Sequence, residues 1–155
     1  IAIYCGCPLG NIKERLKFID LPERRLTISN SLRGSILIDD SYNSNPASLK
    51  NAVDSIEGLN RKKICILGDM KELGSDSQKI HQEMYEYVSE KVDHIFCVGN
   101  EWSKCTPNEK QDLSIFENQD DLYSQLISII DNKTIILVKG SRSTRMDLLA
   151  DKLKK

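Results

Sequence analysis

The stretch "ILIDDSYNSNPASLKNAV", residues 36–53, reads as one complete strand–loop–helix unit. Ile36, Leu37 and Ile38 form a short continuous apolar run rather than an alternating one. That is the pattern of a strand covered on both faces, as in a parallel sheet. Asp39 and Asp40 end the run. Asn45 and Pro46 then suit an N-cap and a first helical residue. From there Leu49, Ala52, Val53, Ile56 and Leu59 recur at helical spacing.

Four more runs of the same kind lie downstream: "KICILGD" (63–69), "HIFCVGN" (94–100), "LSIF" (113–116) and "TIILVKG" (134–140). Helical series alternate with most of them. Ile80, Met84 and Val88 form one, Leu122, Leu126 and Ile130 another, and Met146, Leu149 and Leu153 a third. This alternation predicts an α/β fold: an open, mostly parallel, Rossmann-like sheet flanked by helices and joined by right-handed crossovers. Upstream, "RRLTIS" (24–29) followed by "NSLRGS" suits a hairpin partner, hence an antiparallel edge strand. Residues 1–21 fit this scheme less well. Ile12, Leu16 and Ile19 predict a short amphipathic helix, and Ile1, Ala2 and Ile3 suit the tail of another. We read 1–21 as the end of a preceding domain with its linker, and 22–155 as the domain proper. The apolar positions of the first segment are expected to pack poorly, leaving a monomer or one that associates through them.

The chain has 155 residues, 39% of them apolar and 29% charged, the balance of an ordinary globular domain. Its 22 Lys and Arg nearly cancel 23 Asp and Glu, so no global basic field points to nucleic acid or to an anionic membrane. No apolar run approaches the roughly 20 residues of a membrane helix, and the start has no basic n-region of a signal peptide. Five cysteines are an odd number. Cys65 and Cys97 sit inside apolar runs, and neither they nor His81 and His94 have metal-ligand spacing. Reduced structural thiols, no metal site and a cytoplasmic location are the expectation.

In an open α/β sheet, ligands bind outside the carboxyl ends of the strands. Those ends here are Asp39-Asp40-Ser41-Tyr42-Asn43, Gly68-Asp69-Met70, Gly99-Asn100 and Lys139-Gly140-Ser141-Arg142. Carboxylates there can hold a ribose or a metal. Lys139 and Arg142 can hold a carboxylate or phosphate, with Gly140 letting backbone approach an anion and a helix starting near Ser143. Each has a plainer reading as well. Asn45 suits a simple cap, the two aspartates turn residues, Lys139 a solvated lysine and His81 a helix-face residue. Asp69 and Glu72 in "GDMKELG" suit a turn as well as a site. A phosphate-gripping G-x-x-x-x-G-K-[ST] loop is absent, as is G-x-G-x-x-G, so the chain shows no engine of its own for nucleotide hydrolysis. A phospho-receiver domain is the runner-up from pattern alone, but Asp69 then follows the wrong strand.

Three motifs in order, "IDDSYNSNPASLKNAV", "ILGDMKELG" followed by His81, and "LVKGSRSTRMD", carry a family resemblance over residues 22–155. Together they resemble the C-terminal domain of a Mur ligase, nearest the type that adds D-Ala-D-Ala. Residues 1–20 resemble the last helices of that family's central ATPase domain, which carries the phosphate loop and metal-binding acid missing here. The resemblance implies a ligase in peptidoglycan synthesis that uses ATP and Mg2+ to join D-Ala-D-Ala to UDP-N-acetylmuramoyl-tripeptide through an acyl phosphate. The fragment alone is expected to hold no cofactor and to be inactive. Residue by residue, the resemblance implies Asp40 on the ATP ribose, with Asn43 and Asn45 beside it. Arg25 of "RRL" corresponds to the interdomain arginine on the nucleotide, with Arg24 left open because Glu23-Arg24-Arg25 replaces Gly-Arg. Ser141 and Arg142 are implied to face the acceptor, and Lys139 the reacting phosphate. Other Mur ligases and folylpolyglutamate synthases are the nearest alternatives, and a domain that binds nothing by itself is the non-enzymatic one.

Overall fold

A computed structural model of the protein describes residues 5–16, 18, 22–108 and 113–155, apart from the side chain of Leu16. The expectations for Ile1, Ala2, Ile3, the Leu16 side chain, Ile19 and the boundary at Leu21 lie outside the described residues. A six-stranded sheet has the order β1-β2-β6-β3-β4-β5. Its strands are β1 (Thr27–Asn30), β2 (Ile36–Asp40), β3 (Lys62–Gly68), β4 (His94–Val98), β5 (Leu113–Phe116) and β6 (Thr134–Lys139). Strands β2 to β6 all pair in parallel, while β1 runs antiparallel to β2 with Ile28 opposite Ile38. The continuous apolar runs therefore mark the covered strands, and "RRLTIS" supplies the antiparallel edge.

Two helices cover each face. Helices α2 (Pro46–Glu57) and α3 (Ser77–Ser89) share one core with Ile38, Cys65, Leu67, Ile135 and Leu137. Helices α4 (Gln119–Ile129) and α5 (Met146–Leu153) share the other with Leu37, Ile64, Ile66, Ile136 and Val138. Adjacent strand residues thus enter opposite cores, as the two-residue period of a strand requires. Asn45 caps α2 in a reciprocal box: its Oδ1 accepts the Ser48 N–H at 2.8 Å, and Ser48 Oγ accepts the Asn45 N–H at 3.1 Å. Leu49, Ala52, Val53 and Ile56 are buried along its inner face. Burying a leucine or isoleucine side chain contributes roughly 1.5–3 kcal/mol, so this face is what fixes the helix to the sheet.

Some boundaries differ from expectation. Leu59 lies beyond the end of α2 and is 44% exposed, because the chain leaves the helix at Gly58. Ile130 sits just past α4 in extended backbone, yet it is buried. Helix α1 (Leu9–Leu16) precedes the sheet and has Leu9 57% exposed, with Phe18 beyond it 83% exposed. Of the apolar positions named for this segment, only the Ile12 side chain is described, and it is half-buried. Among the described residues, no helix is long and apolar enough to cross a membrane.

Candidate functional site

Strand β2 leads into α2 on one face of the sheet. Its neighbour β6 leads into α5 on the other. Where successive connections leave toward opposite faces, the chain parts and a crevice remains outside the strand ends. Here that crevice is lined by the loops after β2, β3 and β6. A cavity of about 560 Å3 touches Tyr42, Asn43, Lys71, Glu72, Ser141 and Arg142. Beside it, one of about 160 Å3 is lined by Arg25, Asp40, Tyr42, Asn43, Asn45 and Lys139, with Ser48. The seven residues that the resemblance assigns to the site, Arg25, Asp40, Asn43, Asn45, Lys139, Ser141 and Arg142, each border one of two adjoining cavities, whereas Asp39, Asp69 and the Gly99-Asn100 end border neither.

Ser141, almost fully buried, ties the three loops together. Its N–H donates to the Asp69 carbonyl at 3.1 Å, and its Oγ accepts the Lys71 N–H at 2.8 Å. The same hydroxyl reaches the Ser44 carbonyl at 3.5 Å. Gly140 does not lie open to an anion. A Cβ there would meet Met146 Cγ and Thr144 Oγ1, both at 2.6 Å, so the glycine admits the turn that folds back over β6. Helix α5 starts at Met146 rather than near Ser143, because a 3-10 turn over Arg142–Thr144 comes first.

Asp39 and Asp40, adjacent in sequence, serve opposite faces. Asp39 is fully buried toward α5, accepts from the Ser41 N–H and hydroxyl, and pairs with Lys154 at 2.9 Å. It is a strand residue rather than a loop carboxylate turned to the crevice. Asp40 faces the small cavity. Its Oδ1 accepts the Leu26 N–H at 3.2 Å, and its Oδ2 takes a hydrogen bond from the Lys139 ammonium. Lys139, 1% exposed, also donates to the Asn43 carbonyl at 3.0 Å. The lysine is therefore no solvated surface residue. It is the charged floor of the cavity, and its fixed partner is Asp40.

The two linker arginines diverge. Arg24 has a φ of 60°, in the left-handed region that favours glycine, which is the residue the Mur resemblance implies there. Its guanidinium turns to α5, bonding Asp151 at 2.9 Å and the Asp147 carbonyl at 3.1 Å. That bond holds the Asp151 carboxyl below the usual carboxylate range, and Lys154 reinforces it against partial burial. Arg25 points the other way, onto the ring of Tyr42 and into the small cavity.

A second layer, built around Asp69, Gly99 and His81, stands behind the crevice. Asp69 is buried and turned to the β4 loop, where it accepts the Glu101 N–H at 3.1 Å and pairs with Lys71 at 3.0 Å. Gly99 leaves room for it, since a Cβ would lie 2.2 Å from the Asp69 carboxylate. This brings the Gly99-Asn100 end to the support of the crevice rather than to its lining. His81 is fully buried: Nε2 accepts the Met70 N–H at 3.0 Å, and Nδ1 lies 2.7 Å from the Ser77 carbonyl. An N–H needs an acceptor and a carbonyl a donor, so the ring is the neutral Nδ1–H tautomer. Trp102 packs edge-on against it at 4.7 Å. Burial pushes the Cys65 thiol up to about 12 and the Cys105 thiol to about 11, and raises that of Cys97 as well. These three stay protonated core residues. Among the described residues, no three His, Cys, Asp or Glu side chains gather to hold a metal.

The family described as "Mur ligase, glutamate ligase domain" matches residues 24–142. The UDP-N-acetylmuramoyl-tripeptide–D-alanyl-D-alanine ligase of Haemophilus influenzae is 32% identical over 165 residues, covering 99% of this chain and 36% of the relative. The ligase of the same name from Buchnera aphidicola subsp. Acyrthosiphon pisum is 36% identical over 152 residues, covering 94% of this chain and 32% of the relative. A crystal structure of MurF from Acinetobacter baumannii superposes with a TM-score of 0.82 at 31% identity, over 99% of this chain and 35% of that one. Folylpolyglutamate synthase/dihydrofolate synthase from Yersinia pestis, at 17% identity and a TM-score of 0.67, shares the fold, covering 94% of this chain and 34% of that one. The chain thus spans about a third of the length of the curated relatives it matches. On the family match and the identity to these relatives, the chain belongs to the Mur ligases, as their C-terminal, glutamate-ligase domain.

Proposed function

We propose that residues 22–155 form the closing domain of an ATP-dependent, cytoplasmic bacterial ligase of the MurF type, with residues 1–21 the end of the preceding domain. The longer protein joins D-Ala-D-Ala to UDP-N-acetylmuramoyl-tripeptide in cell-wall synthesis. The observation that carries this reading is the pair of adjoining cavities at the crevice, one lined by Asp40, Arg25 and the asparagines, the other by Ser141 and Arg142. A ligase of this class must bring a nucleotide and an acceptor amine together.

The reaction has two steps. A carboxylate oxygen of the tripeptide attacks the γ-phosphorus of ATP. The new P–O bond forms as the bond to the β-phosphate oxygen breaks, and ADP leaves. The dipeptide amine then attacks the acyl carbon, loses a proton, and expels phosphate as the C–O bond breaks. Both steps depend on alignment and charge neutralisation rather than on a protein nucleophile. In this chain Asp40 suits a ribose hydroxyl pair, Arg25 the phosphates and Arg142 the acceptor carboxylate. Asn43 and Asn45 carry amide groups to the wall of the nucleotide cavity, and Ser141 sets the spacing of the loops. Lys139 supplies positive charge under the nucleotide cavity while neutralising Asp40. Among the described residues no three His, Cys, Asp or Glu side chains gather to hold a cation, and this reading assigns the cation that accompanies ATP to the preceding part of the longer protein.

The test is to express this chain alone and with the sequence that precedes it. Phosphate release from ATP is then measured, dependent on both the tripeptide nucleotide and D-Ala-D-Ala. Activity confined to the longer protein is the expected result. A longer protein that prefers glutamate and a folate would move the assignment to the folylpolyglutamate synthases.

A further inference from the structure

Four arginines, Arg24, Arg25, Arg142 and Arg145, stand around the crevice and divide into two kinds. Arg24 bonds Asp151 at 2.9 Å, and Arg145 bonds Asp147 at 3.2 Å. Arg25 and Arg142 have no carboxylate partner among the described residues. Instead both lie against one ring: the Arg25 guanidinium carbon is 4.5 Å from the centre of Tyr42, and that of Arg142 is 5.5 Å from it. An arginine is long and rotamer-rich, and leaving it unpaired in water normally leaves it mobile. Stacking on an aromatic face is what restrains it here.

Tyr42 also has a particular place. It borders the 560 Å3 cavity, the 160 Å3 cavity and a third of about 280 Å3. Arg25 opens only on the small one, and Arg142 on the other two. The backbone of Tyr42 is tied to the linker, its N–H donating to the Arg24 carbonyl at 3.2 Å. The ring is thus a wall between the 160 Å3 cavity and the 560 Å3 one, each with one cation that lacks a carboxylate partner among the described residues.

We propose that Tyr42 is a positioning residue that holds Arg25 toward the nucleotide and Arg142 toward the acceptor, coupling the two cavities through one ring. The inference rests on the ligase reading and names a residue with no part in that chemistry. It explains why two cations without a carboxylate partner among the described residues are tolerated against one ring: their anions arrive with the ligands.

The test uses Tyr42→Leu, Tyr42→Phe and Arg25→Ala. One exposed cation–π contact is of a size that shifts an equilibrium about two- to fivefold. In the longer protein, Tyr42→Leu should raise the Michaelis constants for ATP and for the dipeptide by about that factor each. Tyr42→Phe, which keeps the aromatic face, should recover both. In an Arg25→Ala background, Tyr42→Leu should no longer change the ATP constant, because the contact it removes is already gone. A cost that persists there marks a packing role and overturns the proposal. A second measurement needs no activity. In the 155-residue chain, NMR relaxation of the arginine Nε–H groups should show Arg25 and Arg142 ordered in the wild type and in Tyr42→Phe, and mobile in Tyr42→Leu. Unchanged order in Tyr42→Leu defeats the inference even if the longer protein is a ligase. Lost order in a protein without ligase activity defeats the ligase reading while the positioning role stands.

Discussion

Lys139 illustrates how burial changes what a substitution reports. Its ammonium, 1% exposed, neutralises Asp40 at the cavity floor. Removing one member of a buried pair leaves the other uncompensated, which costs about 3–5 kcal/mol. Lys139→Ala should therefore lower the urea midpoint of the isolated chain sharply, and lost activity in that variant would not identify a chemical role. Lys139→Met with Asp40→Asn removes both charges at similar volume and should unfold much closer to wild type. His94 offers a pH test. Burial, assisted by the Lys62 charge and opposed by Asp93, lowers its pKa below the ordinary 6.5. The folded form then resists a proton that the unfolded chain accepts. The stability tied to His94 is fully present above about pH 6.5 and is lost as pH falls toward the folded value. Unfolding followed from pH 7.5 downward should show this decline, and His94→Gln should flatten it. At this scale the sequence was legible only in part. "IDD" announces two carboxylates at a strand end, but a strand covered on both faces shows no alternation to say which of them faces the crevice. The paired register of β2 and β6, joining residues about a hundred positions apart, decides it, with Asp40 opposite Lys139.

The strands and helices were easier to read, because each carries its own period and caps. Asn45 and Pro46 start α2 where local chemistry says they should. The turn after β6 was not readable in the same way. Its shape depends on Gly68 and Gly140 lying under Thr144 and Met146, a contact between two loops far apart in sequence. Gly140→Ala puts a methyl group about 2.6 Å from two side-chain atoms, within a packed layer. Overpacking of this kind costs about 1–3 kcal/mol. We expect that loss in chemical denaturation, together with NMR shift changes concentrated in residues 140–146 and in the Lys71 amide that Ser141 accepts. Asn45→Ala should cost about 1 kcal/mol through the lost cap. If Asn45 also touches nucleotide, the ATP constant of the longer protein will rise by more than that loss of stability accounts for.

The molecule as a whole is a sheet with a full core on each face and one poorly covered appendage. Leu9 and Phe18 present apolar surface that the described residues leave open. Exposed apolar patches seek partners, so the 155-residue chain should associate with rising concentration in analytical ultracentrifugation. A chain beginning at residue 22 should stay monomeric with an unchanged melting temperature. The fold class, the edge strand and the crevice followed from strand order and covered runs, whereas the hydrogen bonds that close the crevice are non-local and have no signature in any one segment. The strand order also bears on how the protein is made. β6 leaves the ribosome after the other five strands of this sheet, yet it lies between β2 and β3, which do not pair with each other. Until it arrives, those two strands are separate edges, each offering unpaired amides to another chain. Long-range insertion of this sort is slow and exposes intermediates to aggregation. A nascent chain stalled before Thr134 is therefore a substrate for chaperones and proteases rather than a smaller domain, and the crevice between the strand ends of this sheet is not complete until β6 is in place.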